Sequence, residues 1–204
     1  MAVLTWDDVG RRLSALADRP ARRLPPDGPA ASFGRSAVLL LVAPDPGGVP
    51  SLVLTRRGAG LRQDGGLIAL PGGHVDDGES VEAAALREAE EEIGLPPQGV
   101  ALAGALPPTP TFVTNYAIYP FVGVIEPGFS WVPQATEVAE VLELRLRDVR
   151  ASHEMRRLVR KGVPFRTDTY ELGPAMIWGA TARIVADLLE RLAPVLDAET
   201  EAAR

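Results

Sequence analysis

The chain of 204 residues contains no cysteine. Disulfides, thiolate metal sites and a cysteine nucleophile are therefore excluded. Only two histidines are present, His74 and His153, and they do not make a metal pair by spacing. No long hydrophobic run exists: the longest, Ala37 to Ala43, is far too short to span a bilayer. The first residues, Met-Ala-Val-Leu-Thr-Trp-Asp-Asp, lack the basic region and apolar core of a signal peptide. The final Glu-Ala-Ala-Arg carries no organelle address, so a cytoplasmic location is the expectation. Gly58-Ala59-Gly60 lacks a third glycine at the dinucleotide offset, and no glycine-rich loop ends in Lys-Ser/Thr. Rossmann and P-loop functions are disfavoured accordingly. A net charge of −6 argues against a general nucleic-acid binder.

What is present is a folded composition, 46% hydrophobic and 24% charged, of a length that fits one domain over 1–204. The charge is unevenly placed. Asp76, Asp77, Glu79, Glu82, Glu88, Glu90, Glu91 and Glu92 face a single base, Arg87, so this short window carries −7 and the rest of the chain +1.

Residues 1–34 read as a helix capped by Thr5 and stopped by Pro20, then a proline-rich loop. Buried strands are expected over Ser36 to Ala43, Ser51 to Thr55 and Leu67 to Leu70, the last running into a Pro71-Gly72-Gly73 loop. The clearest helix is Val81 to Ile93: Ser80 supplies the N-cap, alanines fill the interior, Gly94 fits the C′ position and Pro96-Pro97 forbids continuation. Further strands are expected near Val100–Leu106, Tyr116–Ile125 and Val138–Leu146, with an irregular loop from Pro107 to Pro110. The stretch from Arg145 to Arg166, with eight bases against Asp148 and Glu154, reads as a solvated basic helix rather than as the phosphate end of a cleft. A C-terminal amphipathic helix spans 176–193, with Ile177, Ile184, Leu188 and Leu192 on or near one face.

On the acidic helix, Glu88, Glu91 and Glu92 stand at i, i+3 and i+4 and share a face, their Cβ atoms roughly 5–6 Å apart. Like charges so placed cost about 0.2–0.5 kcal/mol per pair, and Arg87 relieves part of this through Glu90 and Glu91. Three convergent carboxylates are what a hard divalent cation requires, shared with water and substrate phosphates. A glycine pair just upstream lets backbone approach a ligand closely.

The spacing is specific. Gly73, five residues, Glu79, seven residues, Arg87-Glu88-Ala89, one residue, Glu91-Glu92, one residue, Gly94-Leu95 resembles the Nudix box (73–95) in register, with Ala89 where a bulkier aliphatic residue is usual. The resemblance to the Nudix hydrolase superfamily implies an α/β/α sandwich around a central mixed sheet. It also implies metal-dependent hydrolysis of a nucleoside diphosphate linked to another group, with Mg²⁺ or Mn²⁺ as cofactor. Carried over by position, Glu88, Glu91 and Glu92 are the implied metal ligands, with the Gly73 carbonyl as a further one, and Glu79 and Arg87 orient the glutamates. Candidates for the general base are Glu92, Glu137 and Glu140.

A second motif precedes the box. Leu54-Thr55-Arg56-Arg57, Arg62, Gly66 and Pro71-Gly72-Gly73 resemble the signature of the coenzyme A pyrophosphatase branch, with departures at Val53, Gly58, Leu70 and His74. Ile177 to Ala182 also resembles the end of that branch, so the likeness extends over residues 35–192. It implies cleavage of coenzyme A or a derivative to 3′,5′-ADP and a 4′-phosphopantetheine species, with Arg57, Arg62, Gly66, Gly72 and Gly73 at the substrate. A homodimer is also implied, and neither nucleic acid nor membrane is expected as a partner. Arginine forks suit the 3′-phosphate. Two alternatives stay open. One is a Nudix enzyme for ADP-ribose, NADH, a dinucleoside polyphosphate or a damaged nucleoside triphosphate. The other is a non-catalytic nucleotide-binding module. His74 could touch a phosphate or stand idle in its loop, whereas Trp178, Tyr116, Tyr119 and Phe121 are expected to serve packing.

Overall fold

The computed structural model describes residues 34–44, 49–61, 65–111, 115–160 and 162–202. The helix and loop expected before Gly34, and Arg62, lie outside these residues. Eleven strands are described: β1 (Gly34–Pro44), β2 (Pro50–Arg57), β3 (Ile68–Ala69), β4 (Gly72–His74), β5 (Ala101–Ala105), β6 (Thr109–Thr111), β7 (Tyr116–Val124), β8 (Val138–Arg145), β9 (His153–Arg160), β10 (Val163–Leu172) and β11 (Ala175–Trp178). The α-helices are α1 (Val81–Ile93), α2 (Leu146–Ala151) and α3 (Gly179–Ala202).

Strand β1 explains the architecture. Its apolar run is continuous because both of its faces are covered. Ala37, Leu39, Leu41 and Ala43 pack with Ala84, Ala85, Ala89 and Ile93 of α1. Val38, Leu40 and Val42 point the other way, into the cluster that holds Ile184, Val185, Leu188 and Leu192 of α3. The result is a helix–sheet–helix sandwich. The main sheet has the order β3-β2-β1-β7-β5, with β8 along β2. Only the central β1–β7 pairing is parallel, so the sheet is mixed. Fully buried Leu39 and Leu40 are sensitive positions: truncating either to alanine is expected to cost about 2–5 kcal/mol. Ala89, the small departure within the box, is fully buried against the sheet, where its size lets α1 lie close.

Helix α1 has the expected limits. Ser80 Oγ accepts from the Ala83 N–H at 3.1 Å, and Gly94 closes the far end at φ 71° with its N–H on the Glu90 carbonyl. Elsewhere the structure corrects four expectations. Pro71-Gly72-Gly73 is not a free loop: β2 pairs with only the far half of β1, and β4 takes the vacated edge, Gly72 against Val38 and Gly73 against Ala37. Thr109 to Thr111 leaves the proposed irregular loop to pair with the start of β7.

The basic stretch is a short helix, α2, followed by strands, because Met155, Arg157 and Val159 are exposed while Arg156, Leu158 and Arg160 are half-buried. That alternation has period two, which a helix cannot satisfy. β9, β10 and β11 form a separate antiparallel sheet. Finally, Ile177 and Trp178 end β11, and the last helix starts only at Gly179. It continues through Pro194 because Leu188, Leu189, Leu192 and Leu196 keep one buried stripe, which outweighs one lost backbone hydrogen bond. Among the described residues, no helix is long and apolar enough to cross a membrane.

Candidate active site

A cleft of about 1330 Å³ opens between the main sheet, the C-terminal half of α1, the three-stranded sheet and the start of α3. Its acidic end is built on β4 and α1. A Cβ on Gly73 would collide with the Glu88 carboxylate, so only glycine permits the helix to seat that group there. Gly72, at φ 151°, has no room for a Cβ against the backbone of Ala37 and Val38. Its N–H donates to Glu92 Oε2 at 3.2 Å. The Gly73 carbonyl accepts from Ser36 Oγ at 2.5 Å.

The three box glutamates have different surroundings. Glu92 is only 4% exposed, and burial pushes its pKa up to about 7. The Gly72 N–H and the Arg57 charge oppose that rise; the charges of Glu88 and Glu137 add to it. Arg57 Nη1 stands 3.7 Å from Glu92 Oε1. Glu88 also has a raised pKa, first from desolvation and secondarily from Glu91 and Glu137, with Arg87 countering. The Glu91 side chain is 59% exposed and held by Arg87 Nη1 at 2.9 Å.

Arg87 does not line the cleft; it works from behind. Its Nε and Nη2 donate to Glu79 at 3.0 and 3.1 Å, Nη1 to Glu88 and Glu91, and Nη2 also to the His74 carbonyl at 3.0 Å. Glu79 first, and then Glu88, raise its pKa further, against the opposing effect of burial. Glu79 is in turn held below the ordinary carboxylate range by Arg87 and by the Asp76 N–H. One guanidinium thus ties the helix, the preceding loop and β4 together. Asp76, Asp77, Glu82 and Glu90 are exposed surface charge.

The donor set at this end is all oxygen: Glu88, Glu91, Glu92 and the Gly73 carbonyl. Hard cations prefer such ligands. Among the described residues, no three acidic or histidine side chains already converge on one ion position. Glu88 and Glu91 instead point a carboxylate oxygen at Arg87. Glu88 and Glu92 both carry unfavourable burial and mutual repulsion, which a cation would relieve. The residues fit a divalent metal on that chemistry.

Of the other expected residues, Arg57, Gly72 and Gly73 line the cleft. Gly66 does not; it sits in the β2–β3 turn, its N–H on the Arg57 carbonyl at 3.0 Å. Glu140 is engaged by Arg56 Nε at 2.9 Å and lines no part of the cleft. Glu137 does line it. Its loop is fixed to the end of α1, where Val132 and Gln134 donate their N–H groups to the carbonyls of Ile93 and Glu92 at 3.0 and 2.9 Å. Gln134 then anchors Glu137 and Val138 through its own carbonyl.

Three further residues line the cleft: Tyr116 and Trp178, expected to serve packing, and His74, left open between a phosphate contact and no role. Tyr116 has the parity opposite to Tyr119 and Phe121, so it faces the cleft rather than the α1 core. Its hydroxyl meets His74 Nε2 at 2.7 Å. Trp178 lies on the cleft wall, not in the core of the C-terminal helix. The signal available in sequence was parity for Tyr116; for Trp178 it depended on recognising β11.

The NUDIX domain family model matches residues 33–161. The chain is 40% identical over 190 residues to an uncharacterized Nudix hydrolase, NudL, of Escherichia coli O7:K1, covering 91% of this chain and 93% of the relative. A NudL of Shigella flexneri is 38% identical over the same shares. Among solved structures, a Nudix hydrolase from M. smegmatis, RenU, aligns with TM-score 0.50 and 29% identity over 59% of this chain and 74% of that one. The NUDIX domain of Shewanella oneidensis NrtR, solved with ADP ribose, aligns with TM-score 0.51 and 17% identity over 81% and 93%. The protein belongs to the Nudix family and is a Nudix hydrolase.

Proposed function

We propose that this Nudix hydrolase cleaves the diphosphate of coenzyme A or a close derivative, giving 3′,5′-ADP and a 4′-phosphopantetheine species. The observation that carries the reading is the pairing of an acidic end with a large cleft. A volume of about 1330 Å³ exceeds the usual small-ligand pocket and suits a substrate that extends well beyond its diphosphate. The signature residues around Arg57 and Gly72-Gly73 support the same branch, since they lie at the cleft's acidic end.

Glu88, Glu91, Glu92 and the Gly73 carbonyl would hold Mg²⁺ or Mn²⁺. The bound cation would neutralise diphosphate oxygens and lower the pKa of the attacking water. Arg87 and Glu79 position Glu88 and Glu91, and Gly72 fixes the Glu92 carboxylate through its N–H. Arg57, beside Glu92, would take a phosphate oxygen. Glu137 is the best-placed base: it lines the cleft, Glu140 is held by Arg56, and Glu92 is committed to the Gly72 N–H.

The test is a panel of coenzyme A, acyl-coenzyme A, ADP-ribose, NADH and a dinucleoside polyphosphate, each with Mg²⁺ or Mn²⁺, the products resolved by mass. The reading requires the highest kcat/KM on a coenzyme A compound, with 3′,5′-ADP released. A higher value on any other member overturns it.

A further inference from the structure

Part of the cleft wall is made by the three-stranded sheet. Antiparallel register sets which side chains share a face: Arg160 is opposite Val163, Leu158 opposite Phe165, and Trp178 opposite Thr169. Following the alternation along β10 places Val163, Phe165, Thr167 and Thr169 on one face. Arg160, Phe165 and Trp178 therefore stand together on the face turned to the cleft, and all three line it. The rings of Phe165 and Trp178 have centroids 6.1 Å apart, and the Arg160 guanidinium lies 5.3 Å from the Trp178 ring centroid. Trp178 is fixed at its backbone as well. It pairs with Thr169, and the next residue, Gly179, turns at φ 69° with its N–H on Thr167 Oγ1 at 3.2 Å. Phe165 and Trp178 both lie beyond residues 33–161, the portion the family model matches.

We propose that Arg160, Phe165 and Trp178 form a nucleotide subsite, in which the aromatic rings receive the flat face of the nucleobase and Arg160 reads a phosphate on its ribose. The inference rests on the reading of the substrate as a nucleoside diphosphate derivative and assigns its nucleoside half to this wall. A π surface alone would accept either a base or an apolar chain. The guanidinium decides between them: its positive charge beside the Trp178 ring favours an anionic, phosphate-bearing ligand over an uncharged apolar chain. A phosphorylated purine nucleoside satisfies ring and cation together. The division is then spatial. Glu88 and Glu92 serve the bond that breaks, and the β9–β11 wall selects what carries it.

Calorimetric titration of the full chain with AMP, with adenosine 3′,5′-bisphosphate, and with inorganic pyrophosphate plus Mg²⁺ tests this without turnover. Trp178→Leu should weaken both nucleotides about 10- to 100-fold and leave pyrophosphate within about twofold. Trp178→Phe should recover most of the loss, which separates stacking from misfolding. Arg160→Gln should weaken the bisphosphate about tenfold more than AMP. Equal weakening of pyrophosphate and nucleotides by Trp178→Leu overturns the subsite, as does unchanged AMP binding. Equal loss of AMP and bisphosphate in Arg160→Gln removes the phosphate role. If coenzyme A is not a substrate yet Trp178→Leu still weakens AMP selectively, the subsite stands and the substrate reading falls.

Discussion

The two ends of the cleft are built by opposite means. The acidic end hangs on one helix, where the spacing of Glu88, Glu91 and Glu92 is fixed by a period of 3.6 residues, with β4 and Arg87 as supports. The aromatic end is assembled from three strands, and no local spacing brings Arg160, Phe165 and Trp178 together. One end is local chemistry carried on a rigid rod. The other is a meeting arranged by strand register. A change that damages the first should stop the reaction, and a change that damages the second should alter which molecule is accepted.

The largest expected effect is Glu88→Gln, a loss of at least about 10³-fold in kcat with circular dichroism unchanged. Removing one carboxylate would weaken the hold on the cation proposed to neutralise the reacting phosphates. Turnover within tenfold of the parent protein would break the distinction between the ends. Next is Glu137→Gln, for which kcat should fall about 10²- to 10⁴-fold with little change in KM, the range of a lost general base. Glu140→Gln, whose partner is Arg56 outside the cleft, should stay within about twofold. Similar losses in both would refute the choice of base.

A smaller effect separates the substrates. Coenzyme A should exceed 3′-dephospho-coenzyme A by about tenfold in kcat/KM, the scale of one charge-assisted phosphate contact. Equal values would show that no arginine reads that phosphate.

The smallest effect concerns stability. Glu92 titrates near pH 7 in the folded protein and near 4.5 when unfolded, so the folded state binds the extra proton between those values. Stability of the chelator-treated protein should therefore fall as pH rises from about 5 to 8, lowering Tm by several degrees, and Glu92→Gln should flatten that slope. A Tm rising over this interval in the parent protein, with no change in Glu92→Gln, would contradict the burial argument.

Much of the acidic end was legible because its signals are short-range. Ser80, the alanine interior and Gly94 bound α1 at the observed residues, and glutamates at i, i+3 and i+4 must share a face. The two buried faces of β1 follow from its uninterrupted apolar run. Where long-range pairing decides, the reading failed. The bases from Arg145 to Arg166 looked like a solvated helix, since charge density says nothing about period; the half-burial of every second residue in β9 does. Gly72-Gly73 looked like a loop because the edge they pair with becomes free only where β2 leaves β1. Trp178 was assigned to the last helix, which hid its place on the wall. Glu137 was one candidate among three, since its approach to Glu92 depends on backbone hydrogen bonds that leave no trace in side-chain identity.

Those backbone bonds constrain how the chain can vary. Val132 and Gln134 cap the last carbonyls of α1, and Glu137 follows three residues later in an exposed segment. Main-chain groups are common to nearly all residue types. Pro133 and Ala135 should therefore be exchanged more freely than Thr136, whose hydroxyl donates to Gln134 Oε1 at 2.7 Å, but the count between Gln134 and Glu137 should not change. One inserted residue would lengthen the path by up to about 3.3–3.6 Å, more than the whole reach of a proton transfer. Along this stretch the heritable quantity is length: with Glu137 as the proposed base, a deletion should silence the enzyme where substitutions at Pro133 and Ala135 should not.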